Sequence, residues 1–348
     1  MGRLTDSLEA QAQAVLPAPV FEYVQRGARD GRTAAEAAAA WERFRFLPQV
    51  LRDVSHVDRS TTLLGTPVAT PLAVAPTTLQ RAAHADGEVA MADAVVRAGS
   101  LMVVSSNAGS TFEEIGATGV SWWLQLYVSA DRATCRPLVE RAVAAGARAV
   151  VLTVDTPVVG TKYTHGDAIW DIAEPGWLRV NFEPDYGDRV GDEKARDLAP
   201  RDIDWLASAS GLPVVVKGVM RADDARRCVG AGASAVWVSN HGGRQLDLTA
   251  ATADALGAVV EAVGTQTEVY VDGGVRNAGH ALTALTLGAR AVFLGRLPLY
   301  ALAVGGPAGV AAMFEELGSD LVELLALAGC PDLTALPRDL VCRGGSPA

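Results

Sequence analysis

Cysteine is scarce in this chain. Cys135, Cys228, Cys330 and Cys342 are the only four. Their wide spacing fits neither a disulfide framework nor a set of zinc ligands, so a reducing cytoplasm is the expected compartment. Basic charge is in deficit: 30 Lys and Arg face 40 Asp and Glu, a net charge of -10. That balance argues against a general nucleic-acid or anionic-membrane surface and leaves room only for a local basic pocket. No apolar run reaches the roughly 18 residues of a membrane helix. The N-terminus MGRLTDSLEA lacks the apolar core of a signal peptide. Asp6 stands where a myristoylation motif has Ser or Thr. No His pairs with Cys or a carboxylate at metal spacing, and no Ser or Cys sits in a nucleophile elbow. The expectation is a soluble cytoplasmic protein without a metal, a nucleic acid or a membrane partner.

What is present is a globular composition, 49% hydrophobic and 20% charged. A length of 348 residues suffices for a full core without covalent staples. The first fifty residues read as helical. Pro17 opens one helix with Val20, Phe21 and Val24 on its apolar side, and the alanine-rich stretch 34–46 reads as a second. Two β-prone pieces, 60–64 and 67–70, flank Gly65 and read as a hairpin. From residue 72 onward apolar runs of strand length recur at 72–76, 102–106, 123–128, 149–155, 213–219, 235–241, 269–274 and 291–296. Runs this uniformly apolar suit parallel strands covered on both faces. Alanine-rich helical patterns ending near a glycine lie between most of them, at 87–99, 132–146, 222–232, 253–264 and 279–288. Eight such units in succession predict an α/β fold, a (β/α)8 TIM barrel, over an open doubly wound sheet. We read one domain, with helices and hairpin in 1–70 and the barrel in 72–330. The gap after the fourth run is the exception: 160–200 is a long loop of lid or binding-loop size.

Barrel enzymes carry their sites at the C-terminal ends of the strands, and every run here ends in polar residues. They are Thr77 and Thr78; Ser105, Ser106 and Asn107; Gln125 and Tyr127; Thr153 and Asp155; Lys217; Ser239 to Arg244; Asp272 to Arg276; Gly295 and Arg296. Gln125 and Tyr127 alternate and so share a face, as do Thr153 and Asp155. Singly, each is explained as a helix cap or a loop hydrogen bond; eight at one end are not. The last two runs end in DGGVR and GR. Glycine lets backbone N–H groups approach an anion and arginine pairs with phosphate oxygens, so these ends predict a phosphate site. Of five histidines, only His241 lies at a strand end. Asp155, two strands away at the same level, would orient its imidazole as a general base. His56, His84 and His280 read as structural, and His165 lies in the long loop.

These motifs resemble the FMN-dependent 2-hydroxy-acid oxidases and dehydrogenases, a family that includes glycolate oxidase, lactate monooxygenase and mandelate-oxidising enzymes. SNHGGRQLD at 239–247 is close to its signature, joined in order by FEYVQRGA, APTTLQRAAHADGE, QLYV, LTVDTP, PVVVKG, DGGVR and GR. The resemblance spans about residues 15–342. It implies FMN, with its phosphate on Gly274, Arg276, Gly295 and Arg296 beside Gly273, and Asp272 on the ribityl chain. The flavin ring would lie against Thr77, Thr78, Ser105, Gln125 and Thr153, with Ser239 nearby. Lys217 would face the N1 edge and stabilise an anionic reduced flavin. His241 would be the base, Asp155 its partner, and Tyr23, Tyr127 and Arg244 would bind substrate. His241 would take either the carbon-bound proton, leaving a carbanion, or the hydroxyl proton with hydride transfer; both routes need the base in one place. The resemblance also implies oxygen or a soluble electron acceptor and a homotetramer.

Two departures stand out. Where the family places a second arginine after the glycine of the long-loop motif, this chain has Lys162, a point charge and not a planar fork. Where several relatives have Trp after the paired serines, it has Asn107. The expected reaction is oxidation of a 2-hydroxy acid to a 2-oxo acid. The alternative keeps the flavin chemistry but acts on an amine, a lactam or a larger hydroxylated metabolite. A catalytically silent flavin-binding barrel is opposed by intact His241, Asp155 and Lys217.

Overall fold

The computed structural model describes residues 3–163, 168–188 and 190–344. Three helices lead: α1 (Leu4–Val15), α2 (Ala18–Gln25) and α3 (Arg32–Trp41). Pro17 caps α2, and Val20, Phe21 and Val24 are its buried face, as the spacing predicts. The alanine-rich stretch stops earlier than its composition suggests. The helix ends at Trp41, and Phe44–Phe46 is a strand, β1, paired antiparallel with the distant β12 (Val341–Arg343). That corrects the expected helix over 34–46: helix propensity is local, whereas β1 is imposed by a partner almost 300 residues away. The hairpin is present as β2 (Thr61–Leu63) and β3 (Thr66–Val68).

The eight apolar runs form the barrel. They are β4 (Leu72–Val74), β5 (Leu101–Ser105), β6 (Ser121–Leu126), β7 (Val150–Thr153), β8 (Val214–Val219), β9 (Ala235–Val238), β10 (Glu268–Val271) and β11 (Ala291–Leu294). Every pairing is parallel, and β11 closes on β4 with Val292 opposite Leu72 and Leu294 opposite Val74. Successive side chains alternate between the two faces. Leu72, Met102, Trp122, Leu124 and Val150 therefore pack outward against the helices. Ala73, Val103, Trp123, Val151, Trp237, Tyr270 and Phe293 point inward. The Trp237 and Phe293 rings lie 3.9 Å apart between centroids, and Trp123 packs on Tyr270 and Phe293, so the interior is filled. Leu63 and Val68 of the hairpin join this inner cluster, and Leu64 N–H donates to Glu268 at the start of β10. The hairpin thus plugs the N-terminal end and leaves the opposite end for chemistry.

The C-terminal helical stretch Arg296–Leu327 is, among the described residues, the one helix long and apolar enough to cross a membrane. This corrects the reading that no such run exists. Half of its most apolar window is buried inside the fold, and it breaks at Gly306 before Pro307. Its hydrophobicity serves packing against α1 and the helix Gly87–Arg97.

Candidate active site

The polar strand ends converge on one cleft. Its walls include Thr77, Thr78, Ser105, Asn107, Gln125, Tyr127, Thr153, Lys217, His241, Arg244, Asp272, Gly273, Gly274, Arg276, Gly295 and Arg296, together with Tyr23 from α2. Each barrel strand contributes because the alternation that fills the interior with apolar groups turns to hydrogen-bonding groups at the last inward positions. A polar row runs across neighbouring strands: Ser105 donates to Gln125 Oε1 at 3.2 Å, and Gln125 Nε2 to Thr153 Oγ1 at 3.1 Å. Thr78 donates to the Asn107 carbonyl at 2.9 Å, so Asn107 lines the cleft beside it.

His241 and Asp155 meet as the sequence predicts. His241 Nδ1 lies 2.9 Å from Asp155 Oδ1. An ionised carboxylate only accepts, so Nδ1 carries the hydrogen and Nε2 keeps its lone pair. Nε2 lies 3.4 Å from the Tyr127 hydroxyl. Burial pulls the His241 pKa below its ordinary value against the opposing pull of Asp155, which keeps the ring neutral with the Nε2 lone pair free. Burial alone would raise Asp155. The charges of His241 and Lys217 and the hydrogen bonds from His241 and Thr156 outweigh it and hold the carboxyl below its usual range. His241 itself has φ +57, a left-handed conformation that costs a side-chain-bearing residue roughly 1–2 kcal/mol. Strain of this kind persists where the surroundings fix it and a function uses it. Asp155 fits because residue 218 is glycine: a Cβ there would lie 2.7 Å from Asp155 Cβ.

Lys217, Ser239 and Asp272 form a second cluster. Lys217 Nζ donates to Ser239 Oγ at 2.8 Å and pairs with Asp272 Oδ2 at 3.0 Å. Ser239 donates to Asp272 and receives the His241 backbone N–H at 3.1 Å. Ser239 is fully buried behind the wall, so it acts by fixing Lys217, Asp272 and the turn that presents His241.

The two arginines at strand ends are held in a way the sequence does not reveal. Arg244 Nη1 donates to the carbonyls of Tyr23, Val24 and Arg26. Arg296 donates through Nε to Val24, through Nη2 to Gln25 and Arg26, and through Nη1 to Gly242. All but the Gly242 carbonyl belong to the last turn and C-cap of α2, where a helix leaves acceptors unpaired and its dipole is negative. Burial and the nearby Arg244 push the Arg296 pKa down to about 10, still charged at neutral pH. Arg244 lines the cleft with its guanidinium over the Tyr23 ring, 5.0 Å from the centroid, and meets no carboxylate among the described residues. Arg276 bonds only the neighbouring Val275 carbonyl at 3.2 Å through its side chain and meets no carboxylate among the described residues.

Of the long insert, Lys162 lines the cleft, with Nζ donating to the Gly160 carbonyl at 2.6 Å. Trp170 also lines it and meets Tyr23 edge-on at 5.7 Å. The other insert aromatics pack elsewhere; Phe182 and Tyr186 stack on each other at 4.1 Å. His165 lies outside the described residues. His280 accepts from the Arg276 backbone, and His84 from that of Asp86, both structural as read. Cleft residues that the sequence reading did not assign to the site include Val159, Gln245 and Lys194. Gln245 follows the signature arginine directly, and it bonds Thr156 Oγ1 and Gly160 N–H, joining the loops after β9 and β7. Lys194 carried no signal, since the insert has no period that assigns its side chains to a face.

The cleft suits an aromatic cofactor with a phosphate tail. A polar row of Ser105, Gln125 and Thr153 matches a heteroaromatic edge, and unneutralised Arg276 beside three glycines matches a phosphate. Gly274 is required there: with φ +76, a Cβ would lie 2.2 Å from the Ala37 carbonyl of α3. In a chain of net charge -10, the cleft gathers Lys162, Lys194, Lys217, Arg244, Arg276 and Arg296 against Asp272 on its wall.

Comparison with known proteins agrees. A family model described as FMN-dependent dehydrogenase matches residues 12–343. Glycolate oxidase 1 of Zea mays is 41% identical over 97% of this chain and 95% of its own length. 2-Hydroxyacid oxidase 1 of Homo sapiens is 40% identical, covering 96% and 94%. The structure of a mandelate oxidase with (S)-4-hydroxymandelic acid superposes with a TM-score of 0.91 at 36% identity, covering 98% of this chain and 99% of that one.

Proposed function

The chain belongs to the FMN-dependent dehydrogenase family of 2-hydroxy-acid-oxidising enzymes, and from that premise we propose that it converts a 2-hydroxy acid to the 2-oxo acid with His241 as base and oxygen or a soluble acceptor as the final oxidant. The observation that carries the reading is the 2.9 Å contact between Asp155 and His241 Nδ1, which leaves Nε2 basic at a cleft that also holds Arg244.

FMN, held by the polar row, Lys217 and the Arg276 side of the cleft, supplies the two-electron acceptor. Arg244 binds the substrate carboxylate through the guanidinium edge not engaged by α2, a charge-assisted contact. Tyr23 and Tyr127 flank the same space, and Lys162 stands at its rim. His241 Nε2 accepts the proton that leaves the substrate CH–OH group. The imidazolium so formed is stabilised by Asp155, with Thr156 and Gln245 holding that carboxylate in place. Lys217 adds a fixed positive charge to the cleft, and its pairing with Asp272 fixes its position.

The test is an oxygen-free screen of 2-hydroxy acids watched by bleaching of the flavin absorbance. At least one acid bleaches the parent, and His241→Ala slows bleaching by about 10²–10⁴ while FMN stays bound. A His241→Ala protein that bleaches at the parental rate removes His241 from the mechanism.

A further inference from the structure

Lys194 has no role in the chemistry described above, yet its side chain reaches the cleft. Its backbone is anchored, although it belongs to the long insert. Ala130 N–H donates to Glu193 O at 2.7 Å and Ala195 N–H to Val128 O at 2.8 Å, so 193–195 add a short antiparallel rung beyond the end of β6. The ammonium therefore stands at a fixed place. It rests over the Tyr127 ring, 3.7 Å from the centroid. Among the described residues it has no carboxylate partner and no hydrogen-bond acceptor. A lysine held against an aromatic face, partly out of water and without a counter-ion, is uncompensated. Burial, with help from Arg179, lowers its pKa to about 8 against the opposing pull of Asp155, so it is still mostly protonated at neutral pH. An arriving anion would relieve that cost.

Its position relative to Arg244 decides which anion. Arg244 acts on His241 and is tied to α2. The charges that act on Lys194 are Arg179 and Asp155. Lys194 is tethered beyond the end of β6, over the Tyr127 ring, whereas Arg244 follows β9, three strands further round the barrel. The two cations thus address different parts of a bound molecule. With Arg244 on the carboxylate next to the reacting carbon, Lys194 is left for a second, distal anionic group.

We propose that Lys194 is a specificity-determining residue that receives the distal carboxylate of the substrate, so that this enzyme favours 2-hydroxydicarboxylates over monocarboxylic 2-hydroxy acids of the same length. The proposal rests on the 2-hydroxy-acid reading above. A charge-assisted hydrogen bond in a partly desolvated site discriminates by about 10- to 100-fold.

The experiment compares matched pairs: malate with 2-hydroxybutyrate, and 2-hydroxyglutarate with 2-hydroxyvalerate. kcat/KM for flavin reduction is measured without oxygen in the parent, Lys194→Met, Lys194→Gln and Lys194→Arg, each checked for bound FMN. The parent prefers the dicarboxylate of each pair. In Lys194→Met and Lys194→Gln that preference falls about 10- to 100-fold, mainly through KM, and Lys194→Arg restores most of it. A parent that prefers the monocarboxylates, or a preference that Lys194→Met and Lys194→Gln leave unchanged, overturns the proposal while the hydroxy-acid reading stands. Bleaching by no hydroxy acid of either class sinks that reading and this proposal with it.

Discussion

Replacing Asp155 by Asn tests the centre of the mechanism, because it changes charge with almost no change of shape. Asp155 Oδ1 receives the His241 Nδ1 hydrogen at 2.9 Å and the Thr156 hydroxyl at 3.2 Å, while Oδ2 is buried with no hydrogen-bond partner among the described residues. The amide has two placements. If its oxygen keeps the His241 contact, its NH2 occupies the place of Oδ2 with no acceptor, and the imidazolium loses a charge-assisted bond worth about 1.5–3 kcal/mol, or roughly 10- to 150-fold in rate. If it flips, the NH2 faces Nδ1, the ring must carry its hydrogen on Nε2, and the base is lost at a cost of about 10²–10⁴. Flavin reduction therefore slows between roughly 10-fold and 10⁴-fold. Stopped-flow mixing without oxygen measures it, with FMN content as the control for folding.

The pH profile adds an independent sign. As the proposed base, His241 would act when neutral, so parental activity should be present above its lowered pKa and be lost as pH falls through it, below the ordinary histidine value of 6.5. Asp155 is the group that raises this pKa, so removing its charge moves the acid limb to lower pH still. A variant that reduces flavin within about threefold of the parent, with an unmoved acid limb, refutes the assigned partnership.

Lys162→Arg should lower KM for simple 2-hydroxy acids, since a planar fork binds a carboxylate better than a point charge; steady-state kinetics on glycolate, lactate and mandelate decide it, and Lys162→Arg and Lys162→Ala proteins that both match the parent place Lys162 outside the site. Gly218→Ala should cost about 1–3 kcal/mol of stability by overpacking against Asp155, with slower flavin reduction as well; urea unfolding with an unchanged slope shows the first, and full stability in the variant contradicts the packing argument.

The barrel was legible because its signal is repetitive: eight apolar runs, each buried on both faces, most of them separated by an alanine-rich helix closed by glycine. The His241–Asp155 pair was legible because strand ends share one level of the barrel and residues two apart share a face. Other features depend on contacts that no local pattern records. The strand Phe44–Phe46 exists through Val341–Arg343, and the composition before it favours helix. The roles of Arg244 and Arg296 in capping α2 depend on the docking of a helix some 220 to 270 residues away in sequence. Lys194 sits in irregular chain, where only the rung with 128–130 decides which way the side chain points.

The docking of α2 also has a consequence for the newborn chain. Tyr23 and the carbonyls of Val24 to Arg26 leave the ribosome first, but they are completed by Arg244 and Arg296, 221 and 272 residues later. At roughly 5–20 residues per second, that helix end waits about 10 seconds to a minute for its cations. Until then those carbonyls lack these partners, and Arg244, the proposed carboxylate ligand, has no mount. The rung between Phe44–Phe46 and Val341–Arg343 is added later still. An early helix end is thus among the last to be finished, and the proposed carboxylate site forms only after Arg244 and Arg296 have been made.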